Sequence, residues 1–120
     1  MASNTNGKIC YIEIPSDDIS GSSAFYQKIF GWNIRTRGDG SVSFDDSTGQ
    51  VSGVWILNRK PDNEPGIFIY IMVDSIATTI DSIKTNGGKI IDIHLEGKEK
   101  IAKFSDPAGN VFGLYQESGQ

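Results

Sequence analysis

The residues with the clearest capacity for chemistry lie in the first apolar segment, where Tyr11 and Glu13 are separated by one residue. Alternate residues of a β-strand share a face, so a strand here would place the phenol and the carboxylate side by side and turn Ile12 and Ile14 the other way. A carboxylate in a partly apolar cavity can serve as a general base or bind a cationic ligand. The structural alternative is that Glu13 caps a backbone group or pairs with a nearby Lys or Arg.

Other polar side chains have weaker cases for chemistry. His94 is the only histidine and alternates with Asp92, and we expect it at a solvated strand edge rather than in proton transfer or a metal site. Cys10 is the only cysteine, which excludes an intramolecular disulfide and a cysteine-based zinc cluster, and we expect it to be a small buried residue. Arg35 and Arg37 lie near a predicted hairpin, where they could gate a cavity or keep a sheet edge soluble.

The elements that must position these side chains begin with a strand, a helix and three short antiparallel strands. Asp18 or Ser20 can cap the start of the helix, and Gly31 stands where a left-handed terminator belongs. The predicted strands cover residues 9–14, 32–36, 42–45 and 51–57.

The same order returns in the second half of the chain. Ile76, Ile80 and Ile83 fit one face of a helix, which we expect to end at Gly87 and Gly88. The predicted strands cover residues 67–73, 89–95, 101–105 and 111–115, with a tight turn over 106–110. The polar, proline-containing segment 58–66 between the halves is predicted to be a linker.

The two halves align on each other without a gap at an offset of 57 residues, which carries Asp17 onto Asp74. The same shift places Ile12 on Ile69, Gly31 on Gly88, Gly40 on Gly97, Ile56 on Gly113 and Trp55 on Phe112. Chance similarity between two segments rich in isoleucine and glycine is the alternative, and we favour a duplication.

Length and composition limit the classes of protein to consider. The chain has 120 residues, of which 38% are hydrophobic and 22% charged, and a net charge of -4 that disfavours nucleic-acid partners. It has no apolar stretch of about 20 residues and no apolar N-terminal signal, so we expect a soluble cytoplasmic protein with no membrane partner. We expect one domain over 8–116, with modules 8–57 and 67–116 and flexible tails at 1–7 and 117–120.

This arrangement resembles the vicinal oxygen chelate superfamily, which includes glyoxalase I, bleomycin-resistance proteins and extradiol, ring-cleaving dioxygenases. The resemblance is strongest to a bacterial branch of glyoxalase-related proteins, most of which have no assigned substrate. It implies an α+β fold in which two tandem βαβββ modules form a curled mixed sheet around a central cavity. The segments that carry it are Glu13–Asp18, Phe25-Tyr26, Phe30-Gly31-Trp32, Asp106–Asn110 and Val111–Tyr115.

The resemblance also implies where a divalent metal ion would bind in metal-dependent relatives. Their ligands stand on the first and last strands of each module, and the corresponding residues here are Tyr11, Ile56, Phe68 and Gly113. This set offers one phenol oxygen, whereas Zn²⁺, Mg²⁺, Ni²⁺ or Fe²⁺ would need several oxygen or nitrogen donors. We therefore expect neither the family metal site nor a cofactor.

Strand alternation indicates which side chains would line the cavity, although aromatic residues on an inner sheet face are also common as plain core. The predicted ligand-binding residues are Tyr11, Glu13, Ile56, Phe68, Tyr70, Met72, Gly113 and Tyr115. Val111 shares the inner face of the last strand, whereas Trp55 and Phe112 alternate to the helix side and are assigned to packing.

Three functions are consistent with these residues. The first is binding of a small hydrophobic or aromatic molecule in the cavity, the use that the resemblance to the metal-free bleomycin-binding proteins implies. The second is a lyase or isomerase, either metal-free with Glu13 or Tyr11 as acid or base, or with a metal held by other ligands. The third is an interaction module whose cavity is filled by its own side chains. Sheet edges that a second chain can cover lead us to expect a homodimer.

Overall fold

The computed structural model describes residue 6 and residues 9–117. The chain divides into two compact units, with the boundary between Lys60 and Pro61. Among the described residues, each unit contains one helix in contact with one four-stranded sheet. Within the described part of the chain, neither helix has the length and apolar character required to cross a membrane.

The first unit contains the strand order β1-β4-β3-β2. β1 runs parallel to β4, and the other two neighbouring pairs are antiparallel, so the sheet is mixed. The elements are β1 (Tyr11–Pro15), α1 (Ile19–Phe30), β2 (Asn33–Thr36), β3 (Val42–Asp45) and β4 (Ser52–Ile56).

The second unit repeats this arrangement with the order β5-β8-β7-β6, in which β5 runs parallel to β8. Its elements are β5 (Tyr70–Met72), α2 (Ile76–Thr85), β6 (Lys89–His94), β7 (Lys100–Ser105) and β8 (Val111–Gln116). The predicted α+β fold with two βαβββ modules is confirmed.

The ends of the first helix follow from its sequence. Asp18 is the N-cap, and its Oδ1 accepts a hydrogen bond from the backbone N–H of Gly21 at 3.1 Å. Gly31 ends the helix with φ of 70°, and its N–H donates to the carbonyl of Gln27 at 3.0 Å. The left-handed conformation at Gly31 is the one that a residue without a Cβ adopts most readily.

The second helix ends before Gly87 and Gly88, as predicted, but Gly88 is not the left-handed residue. Ser75 caps its start and Asn86 its end, and the residue with positive φ is Gly87, at 95°. Gly88, the repeat partner of Gly31, therefore does not act as the left-handed terminator. α2 ends at Thr85, two residues before the position to which the offset carries Phe30, so the left-handed residue that follows the Asn86 cap is Gly87 rather than Gly88.

Helix-facing sheet residues form the core of each unit. In the first unit the rings of Tyr26 and Phe44 each lie 4.6 Å from Trp32, measured between centroids, and Phe44 lies 4.7 Å from Trp55. In the second unit the buried core residues are Ile76, Ile80, Ile83, Ala102, Phe104, Phe112 and Leu114. The assignment of Trp55 and Phe112 to packing is confirmed.

Two predicted strands differ from the observed bounds by two or more residues at one end, whereas the others agree within one residue at each end. The first begins at Tyr11 rather than Ile9 and extends to Pro15, while the fifth covers Tyr70–Met72 rather than 67–73. The apolar segment 67–73 is longer than the fifth strand, because only its second half pairs with β8. The outermost backbone hydrogen bonds of this pairing join Gly113 N to Ile69 O and Val73 N to Tyr115 O. The predicted tails lie outside the described residues apart from Asn6 and Glu117.

The prediction that Cys10 is buried is wrong, because its side chain is exposed. It immediately precedes β1, and its carbonyl accepts a hydrogen bond from Ser52 N at 3.0 Å. The backbone is therefore held beside the sheet, while the thiol is exposed.

Candidate functional site

The predicted site residues of the first unit lie on the sheet face opposite its helix. Along β1 the side chain of Ile14 is buried, whereas Tyr11 is 47% exposed and Glu13 is also exposed. The parallel register places Glu13 beside Val54 and Pro15 beside Ile56. The alternation predicted from sequence is therefore observed in this strand.

Glu13 is engaged by an arginine from the segment that follows β4. Arg59 Nη1 donates a hydrogen bond to Glu13 Oε1 at 2.8 Å, and both side chains are about half exposed. This geometry is the structural alternative considered for Glu13, namely pairing with a nearby cation. The hydroxyl of Tyr11 makes no hydrogen bond within the described residues, so it could donate to or accept from a ligand.

A second polar group lies further across the same sheet. Asp45 accepts hydrogen bonds from Ser52 Oγ at 2.6 Å and from Arg35 Nε at 2.9 Å. The hydrogen bond from Ser52 and the interaction with Arg35 lower the pKa of the Asp45 carboxyl. Since Ser52 is the register partner of Tyr11, this ion pair lies on the face that carries Tyr11 and Glu13.

The predicted site residues of the second unit include two aromatic rings packed over a glycine. The ring centroids of Phe68 and Tyr70 are 5.0 Å apart in an edge-to-face arrangement. A Cβ built on Gly113 would lie 2.6 Å from Phe68 Cε2 and 2.5 Å from Tyr70 Cδ1. The rings therefore occupy the space that any side chain at position 113 would need.

The aromatic face continues along the parallel pair β5 and β8. Met72 is the register partner of Tyr115, just as Tyr70 is of Gly113. Tyr70 is 49% exposed and Met72 is 66% exposed, so this part of the face is open in the chain. We use "aromatic face" below for the set Phe68, Tyr70, Met72, Gly113 and Tyr115.

Charged groups border the aromatic face. Lys103 Nζ lies 5.3 Å from the centroid of the Phe68 ring, within the range of a cation–π interaction. Tyr115 donates its hydroxyl hydrogen to Glu99 Oε2 at 2.6 Å, and this hydrogen bond raises the pKa of the Tyr115 phenol. The hydrogen bond and the negative charge of Glu99 both favour the neutral phenol over the phenolate.

His94 lies on β6, the edge strand of the second sheet, with its side chain 70% exposed. Its Nε2 is 2.9 Å from Asp92 Oδ2, and this hydrogen bond lowers the pKa of the Asp92 carboxyl. The two residues form an exposed pair at the edge, as expected from their alternation.

The residues at the four family ligand positions do not fit a divalent metal ion. Gly113 and Ile56 have no donor atom, Phe68 is a hydrocarbon ring, and the two rings over Gly113 leave no room for a carboxylate there. Tyr11 supplies the one oxygen. Among the described residues there is also no group of three or more His, Cys, Asp or Glu side chains that could hold a metal.

The sequence did not predict which side chains form ion pairs on the face of the predicted site residues. Arg59 and Glu13 are 46 positions apart, and the linker that contains Arg59 has no periodicity that would predict its direction. The pairing of Arg35 with Asp45 could have been predicted from the sequence, because the two residues lie on the two strands of a predicted hairpin. Register across that hairpin places Asp45 beside Asn33, diagonally next to Arg35.

Comparison with known proteins identifies a matching family and several similar proteins. The family model described as Glyoxalase/Bleomycin resistance protein/Dioxygenase superfamily matches residues 8–114. The chain is similar to a glyoxylase-like domain-containing protein of Didymella fabae, with 28% identity over 131 aligned residues that cover 96% of this chain and 98% of the relative.

Two further proteins have names that mention antibiotics or their biosynthesis. The anthracycline biosynthesis protein DnrV of Streptomyces peucetius is 25% identical over 130 residues, covering 92% of this chain but 47% of that protein, so the chain spans about half the length of this relative. The crystal structure of TnmS3, an antibiotic binding protein from Streptomyces sp. CB03234, has a TM-score of 0.69 and 20% identity, and covers 97% of this chain and 100% of that chain.

Proposed function

Since the chain belongs to the glyoxalase/bleomycin resistance protein/dioxygenase superfamily, we propose that it is a single glyoxalase-like domain over residues 8–116 that binds a small hydrophobic or aromatic molecule without a metal ion. The proposed ligand-contacting residues are those predicted from sequence: Tyr11, Glu13, Ile56, Phe68, Tyr70, Met72, Gly113 and Tyr115.

The observation that carries the proposal is the aromatic face of the second unit. Tyr70 and Met72 expose large apolar surfaces next to each other, and exposed apolar patches on soluble proteins commonly mark binding surfaces. Phe68 and Tyr70 are already ordered edge to face, so a planar ligand could stack without first organising them. The neutral hydroxyl of Tyr115 supplies a polar group that could orient such a ligand.

The scarcity of metal-donor atoms at the family ligand positions supports binding of a small molecule rather than metal-dependent catalysis. The residues at the family ligand positions would give an ion one phenol oxygen, and metal-dependent members need the ion to polarise substrate oxygens. The names of DnrV and TnmS3 support a polycyclic or antibiotic-like ligand class, although each name describes only that relative.

A binding experiment with 2-naphthol tests the proposal, because this probe is planar, neutral and small. We expect saturable binding by isothermal titration calorimetry and a shift of the Met72 methyl signal in NMR spectra. Tyr70→Ala should raise the dissociation constant about twofold to tenfold, the range expected for loss of one aromatic pair. Ile91→Ala is the matched control, because Ile91 is an exposed apolar residue of the same sheet outside the aromatic face.

Three results would contradict the proposal. The first is the absence of saturable binding, which is the outcome that an interaction module with a filled cavity predicts. The second is equal weakening by Tyr70→Ala and Ile91→Ala. The third is a stoichiometric divalent ion in protein purified without chelator that is lost in Glu13→Ala.

The lyase or isomerase alternative stays a prediction. Its proposed acid or base groups, Glu13 and Tyr11, lie on the same face of β1, but Glu13 is engaged by Arg59 at 2.8 Å. A substrate that used this carboxylate as a base would have to displace the guanidinium. We therefore favour binding.

A further inference from the structure

Lys103 is a charged residue that contacts the aromatic face of the second unit. Its Nζ lies 5.3 Å from the centroid of the Phe68 ring, and its side chain is exposed. The aliphatic stem of a lysine can cover apolar surface while the ammonium stays in water. The ammonium therefore borders the surface that we propose as the ligand site.

Strand register fixes the sheet face on which Lys103 lies. Its partner on β8 is Gly113, whose own partner on β5 is Tyr70. On its other side Lys103 pairs with Asp92 of β6. Residues directly opposite each other in a sheet share a face, so these four positions form one row across the sheet. Lys103 is therefore on the same face as the exposed ring of Tyr70.

Lys103 and Tyr70 approach the same point from two sides. Neighbouring strands are about 4.8 Å apart, so the strands of these two residues, with β8 between them, are separated by about 10 Å. The rings of Phe68 and Tyr70 fill the space above Gly113, and Lys103 Nζ is in contact with the first of these rings. A two-ring ligand stacked on Tyr70 would thus have its substituent within reach of the ammonium.

The ammonium of Lys103 has hydrogen-bonding capacity that the described part of the chain does not use. A lysine ammonium carries three N–H donors and no acceptor. Among the described residues it forms neither a hydrogen bond nor an ion pair. The contact with Phe68 is an attraction to the face of a ring, so oxygen acceptors for these donors are left to water or to a ligand.

Asp92, the carboxylate next to Lys103 in the row, is engaged by other groups. Its Oδ2 lies 2.9 Å from His94 Nε2, and its Oδ1 accepts a hydrogen bond from Ile93 N at 3.0 Å. The pKa of the Asp92 carboxyl is lowered mainly by the hydrogen bond with His94, with a smaller contribution from the charge of Lys103. Asp92 is therefore within electrostatic range of Lys103 but is not its hydrogen-bonding partner.

Glu99, a second carboxylate at the border of the aromatic face, also has a partner. It accepts the hydroxyl hydrogen of Tyr115 at 2.6 Å. These two carboxylates are thus engaged, whereas Lys103 offers a positive charge with free donors. The group at this face that is ready to bind a charged ligand is a cation, which favours an anion.

From this arrangement we propose that the ligand of the aromatic face is an aromatic anion, such as an ionised aromatic carboxylic acid, and that Lys103 is the residue that selects it. The ring system stacks on Tyr70, and the carboxylate accepts charge-assisted hydrogen bonds from Lys103 Nζ. This inference rests on the proposed function, because it names the class of molecule that the same site takes.

Three probes with one ring system and different charges test the inference: 2-naphthoate, 2-naphthamide and 2-naphthylmethylamine. By isothermal titration calorimetry at neutral pH, we expect 2-naphthoate to bind roughly twofold to fivefold more tightly than 2-naphthamide, the range for an exposed ion pair. The cationic amine should bind weakest. Raising the salt concentration to about 0.5 M should remove most of the preference for 2-naphthoate, because salt screens exposed charges.

Substitutions of two lysines on one strand localise the effect. Lys103→Gln should abolish the preference for 2-naphthoate over 2-naphthamide, and Lys103→Arg should keep it. Lys100→Gln is the matched control, since Lys100 is on β7 three residues away and its side chain is therefore on the opposite face. The readout is the ratio of the two dissociation constants, because a change in the packing of Phe68 would affect both probes alike.

The inference is overturned if 2-naphthoate binds no more tightly than 2-naphthamide, or if Lys100→Gln and Lys103→Gln change the ratio equally. It is also overturned if the amine binds most tightly, which would show that Asp92, Glu99 and Glu117 set the charge preference. Saturable binding of 2-naphthol without a preference for 2-naphthoate overturns this inference alone. Absence of saturable binding of every naphthalene probe overturns the proposed function, and this inference with it.

Discussion

The ring of Tyr70 lies directly over Gly113, so that a Cβ at position 113 would fall 2.5 Å from Tyr70 Cδ1. Position 113 is the place where the family resemblance expects a metal-binding carboxylate. The rings of Tyr70 and Phe68 therefore occupy the space that a carboxylate side chain at position 113 would need.

Gly113→Ala should lower the free energy of unfolding by about 1–3 kcal/mol, the usual cost of overpacking. In the double variant Gly113→Ala/Tyr70→Ala the added methyl group no longer meets the Tyr70 ring, so the two substitutions should not be additive. Urea unfolding of the wild type, the two single variants and the double variant measures the coupling free energy between positions 70 and 113. Simple additivity would show that the ring does not restrict position 113.

Gly53→Ala is the matched comparison and should be more destabilising than Gly113→Ala. A Cβ on Gly53 would meet the carbonyl oxygen of Ile12 as well as the buried ring of Phe44. A backbone atom of a parallel ladder cannot move aside as the exposed ring of Tyr70 can. Equal losses in the two alanine variants would contradict this reasoning.

Breaking the ion pair between Glu13 and Arg59 should change stability little. Both side chains are about half exposed, and exposed ion pairs contribute roughly 0–1 kcal/mol. Glu13→Gln and Arg59→Gln should therefore each lower the free energy of unfolding by less than about 1 kcal/mol in thermal or urea denaturation. A loss of several kcal/mol in either variant would show that the pair is buried in the folded protein.

The Glu99 carboxylate should control the titration of Tyr115. The hydrogen bond from Tyr115 and the negative charge of Glu99 favour the neutral phenol, so Glu99→Gln should lower the pKa of Tyr115 toward the ordinary value of a tyrosine. Because the folded-state pKa is raised, its contribution to stability is present at neutral pH and is lost as the pH rises through that pKa.

NMR titration of the Tyr115 ring measures this pKa. Glu117→Gln is the control, since Glu117 acts on Tyr115 only through a weaker, longer-range interaction, and it should lower the pKa less than Glu99→Gln does. A larger effect from Glu117 would contradict the role of the 2.6 Å hydrogen bond.

We predict a homodimer, and β6 offers one edge for it. β6 is an edge strand with exposed apolar side chains, among them Ile91 at 54% exposure. If this edge forms the contact, Ile91→Lys should shift the light-scattering mass from two chains toward one. Ile67→Lys is the control, because Ile67 is also exposed but lies outside any strand. A wild-type mass of one chain at micromolar concentration would contradict the dimer.

The parts of the fold that sequence predicts are those that depend on neighbours along the chain. Asp18 and Gly31 act as helix caps through backbone groups three and four residues away, and the face of Glu13 follows from strand alternation. The same logic failed for Gly88, because α2 ends two residues earlier than the repeat predicts and the left-handed residue is Gly87.

The parts that sequence did not predict depend on contacts between distant segments. Arg59 reaches Glu13 from a segment without regular structure, and Lys103 meets Phe68 only after β7 and β8 are paired. The crowding above Gly113 likewise depends on how the rings of Phe68 and Tyr70 are oriented, which no residue spacing indicates.

Every strand ladder in the described part of the chain is completed by strands of the same unit, with the first strand of each unit parallel to its last. The stretch between Ile56 and Tyr70 contains neither helix nor strand. A peptide spliced into residues 62–66, away from Arg59 and Ile69, would interrupt no ladder. For protein engineering, this makes it the preferred position at which to attach a fluorescent reporter or an affinity tag to the chain.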